Sequence, residues 1–140
     1  MTELTTQTTT TKASGVQIIL GVSGLFYTLT GLALIFLPTW FFTYIGDFPP
    51  FNRHYMGDAG AFILPLGIGL LVAVRQPAAH RGVVLVSAAA SLLHALNHAY
   101  DDWLVRSPFL HWFAETIPLL IFASILFLVY RRISRSGLDT

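Results

Sequence analysis

The stretch 91–102, SLLHALNHAYDD, carries His94, His98, Asp101 and Asp102. On a helix, residues three and four apart share a face. His94, His98 and one or both aspartates therefore form one polar stripe. The same spacing recurs in His54 with Asp58 and in His111 with Glu115. Imidazole nitrogen and carboxylate oxygen suit a transition metal such as zinc, copper(II) or iron. A His-x3-His pair chelates from one helix face, and a His-x3-Asp pair on a neighbouring helix completes four ligands. The metal-site expectation is thus His54, Asp58, His94 and His98, with Asp101 or Glu115 orienting an imidazole. Three other chemistries use the same groups. They can hydrogen-bond to one another and lock helices together, with no further function. A buried carboxylate beside a histidine can shuttle protons on a lipid-like substrate, as a membrane enzyme would. A haem can sit between two imidazoles, His94 against His54. The chain has neither a serine–histidine–acid order nor an HExxH pattern, so no hydrolase is expected.

The elements that must position these groups are apolar. Of 140 residues, 54% are hydrophobic and 11% charged, against roughly 25% charged in an average soluble domain. A soluble domain of this size could not cover so much apolar surface, so the expectation is a bilayer. The formal net charge of +1 and the scatter of the basic residues over several loops give no nucleic-acid-binding face. Cysteine is absent, which removes disulfides, thiolate metal sites and dithiol redox chemistry.

Crossing roughly 30 Å of hydrocarbon takes about 20 apolar residues in a helix. Four stretches qualify: 16–37, 53–74, 82–100 and 108–130. The first is long for a signal peptide and no A-x-A pattern follows it, so it is expected to stay in the chain. Pro38 should end the first helix, with Trp40, Phe41, Phe42 and Tyr44 as an interfacial aromatic belt. Asn52 is a candidate N-cap for the second. Ser107 is a candidate cap for the fourth, with Pro108 at its first position. Gly21, Gly24 and Gly31 in the first span, Gly60, Gly67 and Gly69 in the second, and the SAAAS run at 87–91 should let backbones approach closely. The stretch 1–14 reads as a disordered polar tail, 15–132 as one membrane domain and 133–140 as a cytoplasmic tail.

Charge sets the expected orientation. Lys12, Arg75, Arg81, Arg131, Arg132 and Arg135, six of the eight basic residues, fall on the side of the tails and the middle loop. Asp47, Asp58, Asp101, Asp102 and Glu115, five of the seven acids, fall at the other end, with four of the five histidines. The positive-inside rule puts both termini in the cytoplasm. The three His/acid pairs then lie near the outer face, with Asp58, His94 and Glu115 about one turn deeper than their partners. Ionisable groups within a span usually face the bundle interior, so these three are expected there, and Asp101 and Asp102 in the headgroups.

The run HYMGDAGAF at 54–62, followed by PLGIGLL, and then HALNH with its trailing acids at 94–102, resembles a group of small bacterial four-span membrane proteins loosely described as DoxX-like. The match covers 16–102 best. It implies an architecture more than a chemistry, and it implies that His54, Asp58, His94 and His98 belong to one unit. DoxX-like proteins are sometimes linked to redox or oxidative-stress complexes; without cysteine, a thiol-based form of that role does not fit here.

The expectation is therefore an all-α, four-helix transmembrane bundle with both termini cytoplasmic, multi-pass in the cell membrane. Its outer end should hold a His/Asp pocket able to take a transition metal. Its expected partners are the lipid bilayer and either a larger membrane complex, in which it would be a non-catalytic accessory subunit, or further copies of itself.

Overall fold

The computed structural model describes residues 14–46 and 49–136. The expected tail at 1–13, with Lys12, the turn residue Asp47, and the end of the expected C-terminal tail at 137–140 lie outside the described residues. Among the described residues there are six helical segments and no strand: α1 (Gly15–Phe36), α2 (Pro38–Tyr44), α3 (Arg53–Ala73), α4 (Arg81–Leu104), α5 (Phe109–Ala114) and α6 (Thr116–Ser136). Helices α1, α3 and α4, and the continuous stretch Phe109–Arg135 formed by α5 and α6, are each long and apolar enough to cross a membrane.

Local chemistry explains the boundaries. Ser14 and Gln17 form a capping box at the start of α1: Gln17 N–H donates to Ser14 Oγ and Ser14 N–H donates to Gln17 Oε1. Two of the helix's orphan donors are satisfied in this way. The Gln17 amide also donates to the Val74 carbonyl at 3.1 Å, tying the start of α1 to the end of α3. The Asn52 side chain accepts from the His54 and Tyr55 amides, as expected of an N-cap. Pro38 ends α1 but also begins α2, where its missing N–H costs nothing. The fourth span departs from expectation. It breaks at Glu115 into α5 and α6. Pro118 has no N–H for the Ala114 carbonyl, and its ring crowds the preceding turn. The break puts it in the first turn of α6, where the missing N–H costs little, whereas Pro65 lies inside an unbroken α3.

The helices pack as two hairpins. Helix α1 lies along α3, and α4 along the α5–α6 span, with narrower seams between α3 and α4 and between α1 and α6. The α1–α3 seam is made by backbone approach. A Cβ on Gly31 would stand 2.8 Å from the Leu64 amide nitrogen, and one on Gly67 would press on the Thr28 amide nitrogen and stand 2.9 Å from the Gly24 carbonyl. Only glycine fits at such contacts. The two hairpins meet at the end where α1 begins and α6 finishes, around Leu20, Leu70, Ala73, Val84, Val129 and Ile133. They meet again halfway along, at Tyr27. Its ring packs edge-on against Phe122 of α6 at 5.5 Å, and its hydroxyl bonds Ser91 of α4. Because Ser91 Oγ donates its one proton to the Ser87 carbonyl, Tyr27 must be the donor. The small residues Ser87, Ala88 and Ser91 are all buried, as the SAAAS run suggests.

Replacing Gly67 or Gly31 by valine should force α1 and α3 apart, at about 1–3 kcal/mol each. Gly57→Ala is the control: a Cβ there meets nothing within 4 Å, and alanine is the better helix former by about 1 kcal/mol. Thermal melting in detergent should rank Gly57→Ala at or above wild type and both valine variants clearly below it. Equal melting of all four proteins would contradict the close-approach account.

Candidate functional site

The site forms where α4 ends and the broken span begins. Asp102 lies in the last turn of α4 with 4% of its surface exposed. Its Oδ2 accepts from the Thr116 hydroxyl at 2.7 Å, and Thr116 is itself fully buried. Its Oδ1 stands 3.1 Å from His111 Nε2. An ionised carboxylate only accepts, so the His111 contact requires a proton on Nε2. That leaves the imidazole lone pair on Nδ1. A buried acid thus fixes the tautomer and the orientation of a histidine, as a catalytic orienting group does.

Glu115 occupies the break between α5 and α6. Its Oε2 lies 3.6 Å from His111 Nε2 and 3.8 Å from His98 Nδ1. The His98 ring meets the His94 ring nearly at right angles, with centroids 4.7 Å apart. The groups form a line of neighbours: Thr116, Asp102, His111, Glu115, His98, His94. The Thr116 and Asp102 side chains are covered, those of His98, His111 and Glu115 are 32%, 42% and 44% exposed, and His94 stands open. Beside it, Asn97 donates to Asp101 at 3.1 Å, which holds Asp101 on its own helix.

The loop that turns the chain from α4 to α5 is a Schellman motif. Ser107 N–H bonds the Asp102 carbonyl at 2.9 Å and Arg106 N–H bonds the Trp103 carbonyl at 3.4 Å. Arg106 occupies the left-handed position with φ 54°, where glycine is usual. A non-glycine residue there costs about 1–2 kcal/mol. A cleft of about 410 Å³ opens against this loop, lined by Asp102, Trp103, Leu104, Arg106, Ser107 and Trp112.

The four expected metal ligands are divided. His94 and His98 join the cluster. His54 and Asp58 pair with each other on α3 at 3.4 Å, with side chains 79% and 57% exposed. Among the described residues no hydrogen bond or ion pair links them to His94 or His98, and no three His, Asp or Glu residues form a group that could hold a metal ion. Asp58, Glu115 and His94, expected in the interior, are exposed, while Asp102, expected in the headgroups, is buried. The reason is depth: α4 continues to Leu104 rather than ending near Tyr100. Asp102 then falls one turn beyond His98 on the packed face. Spacing by four along 94, 98 and 102 is the signal for it. His111 and Asp102 are brought together by packing between helices, which spacing within one helix does not reveal. No protein-family profile, curated protein or solved structure matches this chain.

Asp102→Ala strips a buried hydroxyl and an imidazole of their acceptor, and should cost about 1–3 kcal/mol. Asp58→Ala removes an exposed partner and should change stability by no more than about 0.5 kcal/mol. Parallel melting curves in detergent check the contrast. Comparable losses for the two variants would mean that Asp102 is not the anchor.

Proposed function

We propose that this is a multi-pass protein of the cell membrane, both termini in the cytoplasm, whose outer end carries an acid–base site for a lipid-like substrate. Large apolar side chains that stand more than half exposed along the spans, among them Val22, Leu29, Phe62 and Leu128, support a bilayer as their cover. The resemblance to DoxX-like four-span proteins agrees with that architecture. The observation that carries the acid–base reading is the line of neighbours from buried Asp102 through His111 and Glu115 to half-buried His98 and exposed His94. In it His111 is the working base. Asp102 holds its Nε2–H and leaves Nδ1 to take a proton and to give it back to substrate or water. Glu115, 3.6 Å from the same Nε2, adds negative charge that stabilises the imidazolium formed in between. A group that must both accept and release protons near neutral pH suits histidine better than any other side chain.

A second reading, a transition-metal site, is favoured by the near contact of the His94 and His98 rings with Glu115 beside His98. Zinc, copper or iron would require these three to close from their present spacing into a ligand set, with His54 and Asp58 joining only if α3 turns its paired side chains toward α4.

The two readings separate in one set of experiments on untagged protein in nanodiscs. Wild type and His111→Gln are incubated with a membrane lipid extract and the lipids compared by mass spectrometry. A lipid species altered by wild type, at a rate about a hundredfold or more lower in His111→Gln, is the expected result. Identical lipid profiles from both proteins would remove the acid–base reading. Stoichiometric metal in wild type, lost in His94→Ala, would establish the metal site in its place.

A further inference from the structure

The cleft beside the cluster has a chemistry of its own. Its lining combines one guanidinium, one hydroxyl and two indole rings: Arg106, Ser107, Trp103 and Trp112. Arg106 is exposed, and among the described residues its guanidinium makes no ion pair. The one acid in the lining, Asp102, turns its carboxylate away from the cleft toward Thr116 and His111, with its side chain only 5% exposed. It also engages the Ser107 side chain, so the exposed charge in the cleft is that of Arg106. The backbone at Arg106 adopts a conformation that glycine would take more readily. A long cation kept at such a position points to work done by the side chain. Guanidinium forks match phosphate oxygens in pairs, and indole rings favour the depth of lipid headgroups.

We infer that Arg106, with the indoles of Trp103 and Trp112, binds a phosphate group at the α4–α5 turn. This rests on the acid–base reading only for its purpose: a headgroup held here places an amphiphile's polar end beside His111. The binding itself stands apart from any reaction. Two sources carry this chemistry, the headgroup of a phospholipid and a free phosphate anion.

The test uses the full chain purified in an uncharged, phosphate-free detergent. Phosphatidylglycerol or inorganic phosphate is titrated in, with tryptophan fluorescence and native mass spectrometry as readouts. Wild type should retain phosphatidylglycerol and change its fluorescence as it binds. Arg106→Gln should weaken binding about tenfold or more, the loss of a charged hydrogen-bonding partner. Arg106→Lys should restore part of it, and Arg53→Gln should bind as wild type does. Arg106→Gly relieves the backbone and removes the charge; a protein that melts no lower than wild type yet fails to bind shows that the loss is not unfolding. His111→Gln should bind normally even where lipid conversion is lost, so a failed reaction leaves the binding result intact. Binding of phosphatidylglycerol alone identifies a lipid headgroup, and binding of inorganic phosphate as well identifies a site for the free anion. Equal retention by wild type, Arg106→Gln and Arg106→Gly, or no retention by wild type, overturns the proposal.

Discussion

A carboxylate at the end of an apolar helix has two stable situations: in water, or closed in with donors on both oxygens. Asp102 takes the second. Burying an ion without partners would cost several kcal/mol, on the order of what holds a whole small domain together. The Thr116 hydroxyl and the His111 imidazole are therefore requirements on the fold. They fix where α4 must stop relative to α5 and α6. They also bring α5 back over the end of α4, which is what places Glu115 between two histidines.

The break at Glu115 lies three positions before Pro118. An unbroken helix there would forgo the hydrogen bond that proline cannot give, a loss that α3 accepts at Pro65. The chain instead completes one short helix, turns at Glu115 and starts another at Thr116. Two groups of the cluster thus sit on either side of a discontinuity, where side chains are not confined to one helical face. The opposite hairpin shows the contrary design. Between α1 and α3 side chains are absent where the backbones meet, at Gly31 and Gly67. That seam is close, and the polar side chains it takes, such as Thr28 against Gly67 and Gln17 on the Val74 carbonyl, are uncharged. It is no accident that the pocket chemistry gathers on the hairpin held together by side chains.

The four long helices are legible in the sequence because length and hydropathy alone set them, and Asn52 caps α3 as expected. Ser107 does not cap the fourth span: Pro108 is the N-cap of α5 with no side-chain bond, and Ser107 is held by Asp102 in the preceding turn. The glycines of α1 and α3 are legible as contact faces for the same reason: so many in apolar spans serve little else. The site is only half legible. Spacing of three and four identifies which groups share a helix face, and His94 with His98 follows from it. Helix rotation about the long axis does not. His54 and Asp58 share a face, but α3 turns that face outward, so the pair stays on its own helix. Asp102 and His111 meet across a turn whose geometry depends on a left-handed arginine, a conformation that composition argues against.

That arginine also bears on how the two ends of the site relate. The Schellman turn hangs on the Asp102 carbonyl through Ser107 N–H, while the Asp102 carboxylate holds Thr116 and His111. One residue therefore supports the loop with its backbone and the acid–base series with its side chain. The loop is joined to the end of α4 by the Ser107 bond of 2.9 Å and by the Arg106 N–H to the Trp103 carbonyl at 3.4 Å. Cleft and cluster thus share Asp102 as their common support, the backbone serving one and the carboxylate the other.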